Sequence, residues 1–380
     1  MSSLYVHIPF CERKCLYCDF YSIEDRSMMS RFLMALGREI HAYAPFREQS
    51  DVETVFVGGG TPSLLAPEHL WGILGTLASV FTLRPDAEVT VETNPGTVDA
   101  EKLSAYRSLG VNRLSIGVQS FCDRQLQFLG RIHTREEALR CFALARGAGF
   151  RNISMDLIFS LPGQTLAQWK EDLQQAVVLD PDHLSVYGLI VEEQTPLARM
   201  VNDGQVRPNP IELEAELYEF TMSFLADHGF EQYEVSNYAK PGYRSRHNDN
   251  YWSHRNYIGF GPSAHSFWQD PGVRSGRRWW NLANVHQYCE MLDDYRLPIA
   301  SGETLGISEL VTERIFLGLR SDGVELERLH ADLGFELLRH QHEIVKELVE
   351  RELAVLDDHT LRLTSRGYLL CDEICERLLR

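Results

Sequence analysis

Leu4-Tyr5-Val6-His7-Ile8-Pro9-Phe10-Cys11-Glu12-Arg13-Lys14-Cys15-Leu16-Tyr17-Cys18 is the segment on which the reading of the whole chain turns. A β-branched run, Leu4–Ile8, stops at a proline, and three cysteines follow within eight positions. A structural zinc ion asks for four ligands, commonly two closely spaced pairs, and no second pair follows within a zinc-finger span. A cluster of four irons normally takes four thiolates, so three thiolates leave one iron open to a chelating small molecule. The spacing therefore predicts an oxygen-sensitive iron–sulfur cluster on Cys11, Cys15 and Cys18, held at the mouth of whatever fold the first strand begins.

Outward from that segment the sequence repeats one theme to about residue 235: a short strand-like run, a turn rich in Gly, Pro or Asn, then a longer stretch with helical spacing. The strands expected are Leu4–Ile8, Glu53–Val57, Glu88–Glu92, Arg113–Gly117, Ile153–Ile158 and His183–Leu189, giving six βα steps with parallel strands. Periodicity leaves open whether they form a doubly wound sheet or a curved, incompletely closed barrel. From 236 to 300 the pattern gives way to an irregular, aromatic-rich segment with four of the six tryptophans. From 301 to 380 helical spacing returns. There a hairpin over Leu353–Leu363 turns at Asp357-Asp358-His359, as in a small helical unit with a two-stranded wing.

Composition narrows the function classes. The chain of 380 residues is 44% hydrophobic and 24% charged, ordinary for a globular protein. A formal net charge of −17 opposes broad contact with nucleic acid or anionic lipid. Eight cysteines are too few for a disulfide scaffold. Cys122, Cys141, Cys289, Cys371 and Cys375 read as small buried side chains. No run reaches the roughly 18 apolar residues of a spanning helix, and the start lacks the pattern of a signal peptide. The expectation is a cytoplasmic protein, neither exported nor integral to a membrane.

In βα folds chemistry gathers just after the strands, and the special residues cluster there. Gly58-Gly59-Gly60-Thr61-Pro62 follows the second strand, where glycines let the backbone approach a ligand. Glu92 ends the third, Gln119 follows the fourth, and Arg131 and Asp156 fall at the next two rim positions. One polar residue per strand end predicts a ring around a ligand. Leu161-Pro162-Gly163-Gln164-Thr165 reads as a turn into a helix capped by Thr165.

The C-x3-C-x2-C spacing, with Tyr17 before the third cysteine, resembles the radical S-adenosylmethionine superfamily. That resemblance implies that the open iron chelates S-adenosylmethionine, whose one-electron cleavage gives a 5′-deoxyadenosyl radical. Tyr5-x-His7-Ile8-Pro9-Phe10-Cys11, the GGGTP run, Glu92-Thr93-Asn94-Pro95, Gly117-Val118-Gln119-Ser120 and Leu161–Thr165, in this order, resemble the anaerobic coproporphyrinogen oxidase family over nearly the whole chain. It implies an open partial (β/α)6 barrel with a small C-terminal helical, winged-helix-like domain. It further implies a cofactor pocket of Tyr5, Tyr17, Gly59, Gly60, Thr61, Glu92, Gln119, Arg131 and Asp156.

Within that family the choice is between the oxygen-independent coproporphyrinogen III decarboxylase of porphyrin biosynthesis and a haem chaperone. The decarboxylase type carries a fourth cysteine two residues after the third, where this chain has Phe20. It also carries a longer N-terminal extension, whereas four residues precede Tyr5 here. His247-Asn248-x-x-Tyr251-Trp252 matches the HNxxYW motif of the haem chaperones and implies haem contact through His247, Asn248, Tyr251 and Trp252. Imidazole suits iron, with His254 and His265 as nearby competitors. Arg244, Arg246, Arg274, Arg277 and Arg278 are candidates for the propionates. The expectation is a chaperone without coproporphyrinogen oxidase activity. It binds a 4Fe–4S cluster, S-adenosylmethionine and haem as cargo, takes electrons from a donor, and delivers haem to recipient haemoproteins such as respiratory cytochromes, with peripheral membrane association through a partner.

Overall fold

The computed structural model describes residues 2–49 and 51–379. Six parallel strands lie side by side in chain order: β1 (Ser2–Ile8), β2 (Val52–Gly59), β3 (Leu83–Thr93), β4 (Arg113–Gln119), β5 (Ile153–Phe159) and β6 (His183–Gly188). Their near-continuous apolar runs follow from burial on both faces, as parallel sheets require; β4, for example, is buried from Arg113 to Val118. Helices α1 (Met29–Ala42), α2 (Pro67–Val80), α3 (Ala100–Ser108), α4 (Asp123–Leu129), α5 (Arg135–Gly147) and α6 (Leu166–Val178) supply the crossovers. α7 (Pro196–Asn202) and α8 (Ile211–Asp227) follow β6. Thr165 caps α6 through the amide of Gln168, whose side chain returns a bond to the Thr165 amide, as the sequence predicts.

The barrel stays open because β1 and β6 do not pair with each other. Beyond β6 the sheet runs on antiparallel into β8 (Asn237–Ala239) and β7 (Glu231–Gln232). Beyond β1 it continues into a parallel β9 (Tyr257–Phe260). Antiparallel β10 (His265–Trp268), β11 (Gly276–Asn281) and β12 (Ile299–Leu305) complete that edge. The aromatic-rich segment, which reads as irregular, thus holds β8, β9, β10, β11 and the start of β12 in the main sheet, with α9 (Arg246–Trp252) and α10 (Val285–Asp293). Sequence periodicity misses them because these short strands are interrupted by glycine turns and α9 covers only two turns of helix.

Buried Glu39 of α1 ties this extension to the barrel. Its carboxylate accepts from the Gly261 amide at 2.8 Å, Asn281 Nδ2 at 2.6 Å and the Tyr288 hydroxyl at 2.5 Å. Burial nevertheless raises its pKa to about 7. A second apolar core, with Leu310, Ile315, Leu319, Leu329, Leu348 and Leu361, organises the C-terminal part around α11 (Ile307–Leu319). The wing there is three-stranded rather than two-stranded. Short β13 (Val324–Glu325) joins the β14 (Ala354–Leu356) and β15 (Thr360–Leu363) hairpin in the order β13-β15-β14. Two residues are too few to show a period.

Candidate cluster and cofactor site

The loop after β1 is closed at its base before it reaches the cysteines. Cys11 N–H donates to Ile23 O at 2.9 Å and Ile23 N–H to Pro9 O at 2.8 Å. From the side, Leu16 N–H donates to Leu129 O at the end of α4, and Leu197 N–H of α7 to Leu16 O. The glycine run after β2 lies against this base: Gly60 and Thr61 amides donate to Ile8 O and Phe10 O, each at 2.8 Å. A Cβ on Gly60 would stand 2.8 Å from Phe10 O and 3.0 Å from Cys11 Sγ, so only glycine allows this approach.

Cys11, Cys15 and Cys18 open on one cavity of about 430 Å³ at the C-terminal ends of the strands. Tyr17, Gly59, Gly60, Thr61, Glu92, Gln119, Arg131 and Asp156 line it too. The structure therefore brings together every residue that the sequence groups around the cofactor except Tyr5. Tyr5 lies within β1, its hydroxyl bonds His7 Nδ1 at 3.0 Å, and it lines a different cavity. Among the lining residues that the sequence reading does not single out are Asn94, Ser115, His133 and Tyr187. Asn94 stands within the quoted Glu92–Pro95 run, and Tyr187 stands at the sixth strand end, where the one-polar-residue pattern extends to a phenol. Ser115 and His133 carry no local signal.

Donors point at the sulfurs. Thr61 Oγ1 approaches Cys11 Sγ, and Arg131 Nη1 approaches Cys15 Sγ, both at 3.6 Å. Arg131 is fixed by two further bonds, from Nη2 to Asn94 Oδ1 at 2.7 Å and to Gly117 O at 2.8 Å. Burial pushes the Cys18 thiol up to about 11, with Cys15 and Cys11 pushing the same way. A bound metal offsets that cost by taking the sulfurs as thiolates. No three His, Cys, Asp or Glu side chains among the described residues gather closely enough for one metal ion. Three thiolates each on a separate iron can stand further apart. With a hydroxyl donor and Cβ-free backbone beside Cys11 and a guanidinium donor on Cys15, the residues fit an iron–sulfur cluster.

Two acids face the cavity. Glu92 accepts from the Gly59 amide at 3.0 Å, where Gly59 has φ +111°. Burial, then the neighbouring Asp156, raise its pKa to about 8. Asp156, bonded by Ser115 Oγ at 3.0 Å, is also raised by burial. Across the cavity His133 gives one ring nitrogen to Val118 O at 3.1 Å and leaves Nδ1 unpartnered. Two carboxyls desolvated side by side are unfavourable in an empty site and suit a cationic occupant.

The HNxxYW segment forms α9, whose amides at Arg246 and His247 donate to the Glu88 carboxylate. His247 is buried, and both ring nitrogens are taken, Nδ1 by Thr54 Oγ1 at 2.7 Å and Nε2 by the Tyr251 hydroxyl at 2.9 Å. It stacks on Phe56, and burial lowers its pKa to about 3. The structure thus departs from the expected imidazole–iron contact, because the ring sits behind Tyr251 and offers no lone pair to a cavity. Tyr251 itself lines the cavity that Tyr5 lines, Trp252 lines another, and Asn248 lines neither. Of the five candidate arginines only Arg278 borders the Tyr251 cavity, and it is paired with Glu303 and Glu313.

An open parallel barrel with three thiols at its rim defines a radical S-adenosylmethionine protein, and residues 5–176 match the model of that superfamily. Residues 308–370 match the HemN C-terminal domain. The chain is 39% identical to "Heme chaperone HemW" of Bacillus subtilis, over 98% of each chain. It is 44% identical to the protein of that name in Escherichia coli, over 69% of each. The solved Escherichia coli coproporphyrinogen III oxidase HemN superposes with a TM-score of 0.84 at 25% identity, covering 99% of this chain and 89% of that one. The chain belongs to the HemW family of radical S-adenosylmethionine proteins.

Proposed function

We propose that the protein is a haem carrier that binds a 4Fe–4S cluster on Cys11, Cys15 and Cys18 and S-adenosylmethionine in the adjoining cavity, and passes haem to acceptor haemoproteins. The observation that carries the cofactor reading is the convergence of three thiols and two buried carboxyls on one rim cavity. Glu92 and Asp156 receive the cationic part of the cofactor, and Gly59, Gly60 and Thr61 present backbone to it. Tyr17, Gln119 and Arg131 close the sides, and Arg131 also orients Cys15. When bound, cluster and cofactor together supply one-electron chemistry at a sulfonium centre. Relatives that carry the chaperone name support the haem reading. So does Phe20, a 61% exposed ring where the decarboxylase type places its fourth cysteine. Respiratory cytochromes are the acceptors this reading favours, in the cytoplasm or at a membrane reached through a partner. No helix among the described residues is long and apolar enough to cross a membrane.

The second reading is coproporphyrinogen III decarboxylation, favoured by the full-length likeness to HemN. Anaerobic reconstitution followed by haemin titration separates the two. Stoichiometric haem uptake with no protoporphyrinogen formed from coproporphyrinogen III supports the carrier. Turnover of coproporphyrinogen without haem uptake overturns it.

A further inference from the structure

Two of the three thiols receive donors from different parts of the chain, Cys11 from Thr61 after β2 and Cys15 from Arg131 after α4, and one side chain joins these donors. Asn94, just past the end of β3, accepts from Arg131 Nη2 through Oδ1 at 2.7 Å and donates through Nδ2 to Thr61 Oγ1 at 3.1 Å. A hydrogen-bonded path therefore runs unbroken from Cys15 through Arg131, Asn94 and Thr61 to Cys11.

The direction of each bond follows from the chemistry of the members. A guanidinium has hydrogens to give and no lone pair to offer, so the oxygen of the Asn94 amide must face Arg131. The amide nitrogen then faces Thr61 and occupies a lone pair of its hydroxyl. That leaves the Thr61 hydrogen for Cys11 Sγ, 3.6 Å away. Arg131 thus decides, through Asn94, that Thr61 donates to sulfur. The surroundings hold the relay in place. The Asn94 backbone amide donates to Ser63 Oγ at 3.1 Å, and its carbonyl accepts from Thr97 Oγ1 at 2.7 Å. Arg131 Nη2 has a second anchor on Gly117 O at 2.8 Å, and Thr61 is buried. A Cβ on Gly117 would stand 2.9 Å from Asn94 Oδ1 and 3.2 Å from Arg131 Nη2, so the pair meets where a glycine makes room.

We propose that Asn94 is a positioning residue that keeps both donors on the cluster sulfurs and so sets the reduction potential of the cluster. The proposal rests on the cluster reading and adds to it a residue that acts only through Thr61 and Arg131. One-electron reduction adds negative charge to an iron–sulfur cluster, and hydrogen bonds to its sulfurs offset that charge, so such donors raise the potential. Without the amide, the Thr61 hydroxyl is free to turn away from Cys11, and Arg131 loses one of its two Nη2 anchors.

The test is a potentiometric titration of the reconstituted cluster in the absence of S-adenosylmethionine, read by the electron paramagnetic resonance signal of the reduced state. Wild type is compared with Asn94→Leu, Thr61→Val, Thr61→Ser and the Asn94→Leu/Thr61→Val double variant. Leucine nearly keeps the volume of asparagine and removes both hydrogen-bonding atoms. Asn94→Leu should make reduction about tenfold less favourable, a fall in midpoint of about 59 mV for one electron. Thr61→Val should also lower the midpoint, while Thr61→Ser, which keeps the hydroxyl, stays near wild type. Because Asn94 acts partly through Thr61, its effect should shrink in the Thr61→Val background. A residue that only braced the loop would cost stability and leave the midpoint and this coupling unmoved. A wild-type midpoint in Asn94→Leu, or effects of the two substitutions that simply add, overturns the proposal and leaves the cluster reading standing. If Asn94→Leu takes up no iron, Asn94→Asp is read in the same way. Its carboxylate keeps Arg131 but draws the Thr61 hydrogen from Cys11, so the midpoint should fall, and fall less in the Thr61→Val background; an equal fall in both overturns the relay. Failure of the wild type to take up iron overturns the cluster reading and this proposal together.

Discussion

The two cavities that share Asp19 and Phe20, the cofactor cavity and the aromatic one lined by Tyr5 and Tyr251, are built by different means. The cofactor cavity takes up to three residues from each of β2 to β6 and others from the loops beyond β1 to β4 and beyond β6, so its charged groups stand near strand ends in the sequence although much of its wall is apolar. The aromatic cavity is assembled from β1, α9, β9, β10, β11 and α11, elements that meet only through long-range packing. The first is a site of charges that ask for a partner. The second ties Arg278 and the His254 ring to one carboxylate, Glu313, and leaves open aromatic wall and the His265 imidazole.

If the two are independent sites, the largest effect will stay on one side. Cys15→Ala removes a thiol and its Arg131 contact, and the expected outcome is complete loss of the cluster's visible absorbance and of S-adenosylmethionine cleavage. Haemin affinity should stay within about twofold, since Cys15 lines neither of the cavities that Tyr251 and Trp252 line. A parallel collapse of haemin binding would show that Asp19 and Phe20 transmit the state of the cluster loop, making the two cavities one coupled site.

The second perturbation acts beneath the aromatic cavity. His247→Ala strips partners from Thr54 and Tyr251 and leaves a void against Phe56. Lost buried hydrogen bonds and the void together should destabilise the fold by about 2–5 kcal/mol, read by denaturant unfolding under anaerobic conditions. Loss of the haemin Soret spectrum without loss of stability would restore His247 as the contact and require a different rotamer from the one seen.

Gly60→Ala probes the other side. Its Cβ would press on the Phe10 carbonyl, which is backbone and cannot swing away. Overpacking of this kind costs about 1–3 kcal/mol, and the strain falls on the loop that aims Cys11. The expected result is a lower thermal midpoint with poorer cluster reconstitution and unaltered haemin uptake.

The same contrast governs what is legible in the sequence. Six strand ends at the rim are marked by β-branched runs broken by Gly, Pro and Asn, and Glu92 and Gln119 stand out as polar residues at those ends, while Asp156 lies inside β5 and Arg131 follows α4. Position in the sequence locates them because parallel strands present their ends at one face. It fails at Tyr5, placed around the cofactor on resemblance, whose side chain lines the aromatic cavity. No comparable rule exists for the aromatic cavity. His247 and His265 stand eighteen positions apart in equally aromatic surroundings. Only packing distinguishes the ring locked between Thr54 and Tyr251 from the ring stacked open on Trp280.

The smallest effect bears on why the cofactor cavity keeps two acids. The Glu92 carboxyl is raised from an ordinary value of 4.5 to about 8, by burial first and Asp156 second, against the Gly59 amide and Arg113. For the empty chain, its contribution to stability is fully present below about 4.5 and is lost progressively as pH rises to about 8. Glu92→Gln should therefore raise the thermal midpoint of the empty protein at pH 8 and change it little at pH 4.5. A cationic ligand reverses the preference, because it favours the ionised carboxylate. Below pH 8 its binding releases a proton, so affinity for S-adenosylmethionine should rise up to about tenfold per pH unit and level off above 8, a step of about 1.4 kcal/mol per unit. In Glu92→Gln this rise should shrink to whatever Asp156 contributes. Calorimetry at pH 6.5, 7.5 and 8.5, in buffers of differing ionisation enthalpy, would count the proton directly. A wild-type profile with no slope and no proton released would mean that the cofactor's charge lies elsewhere, and that the buried acids serve the barrel and not its ligand.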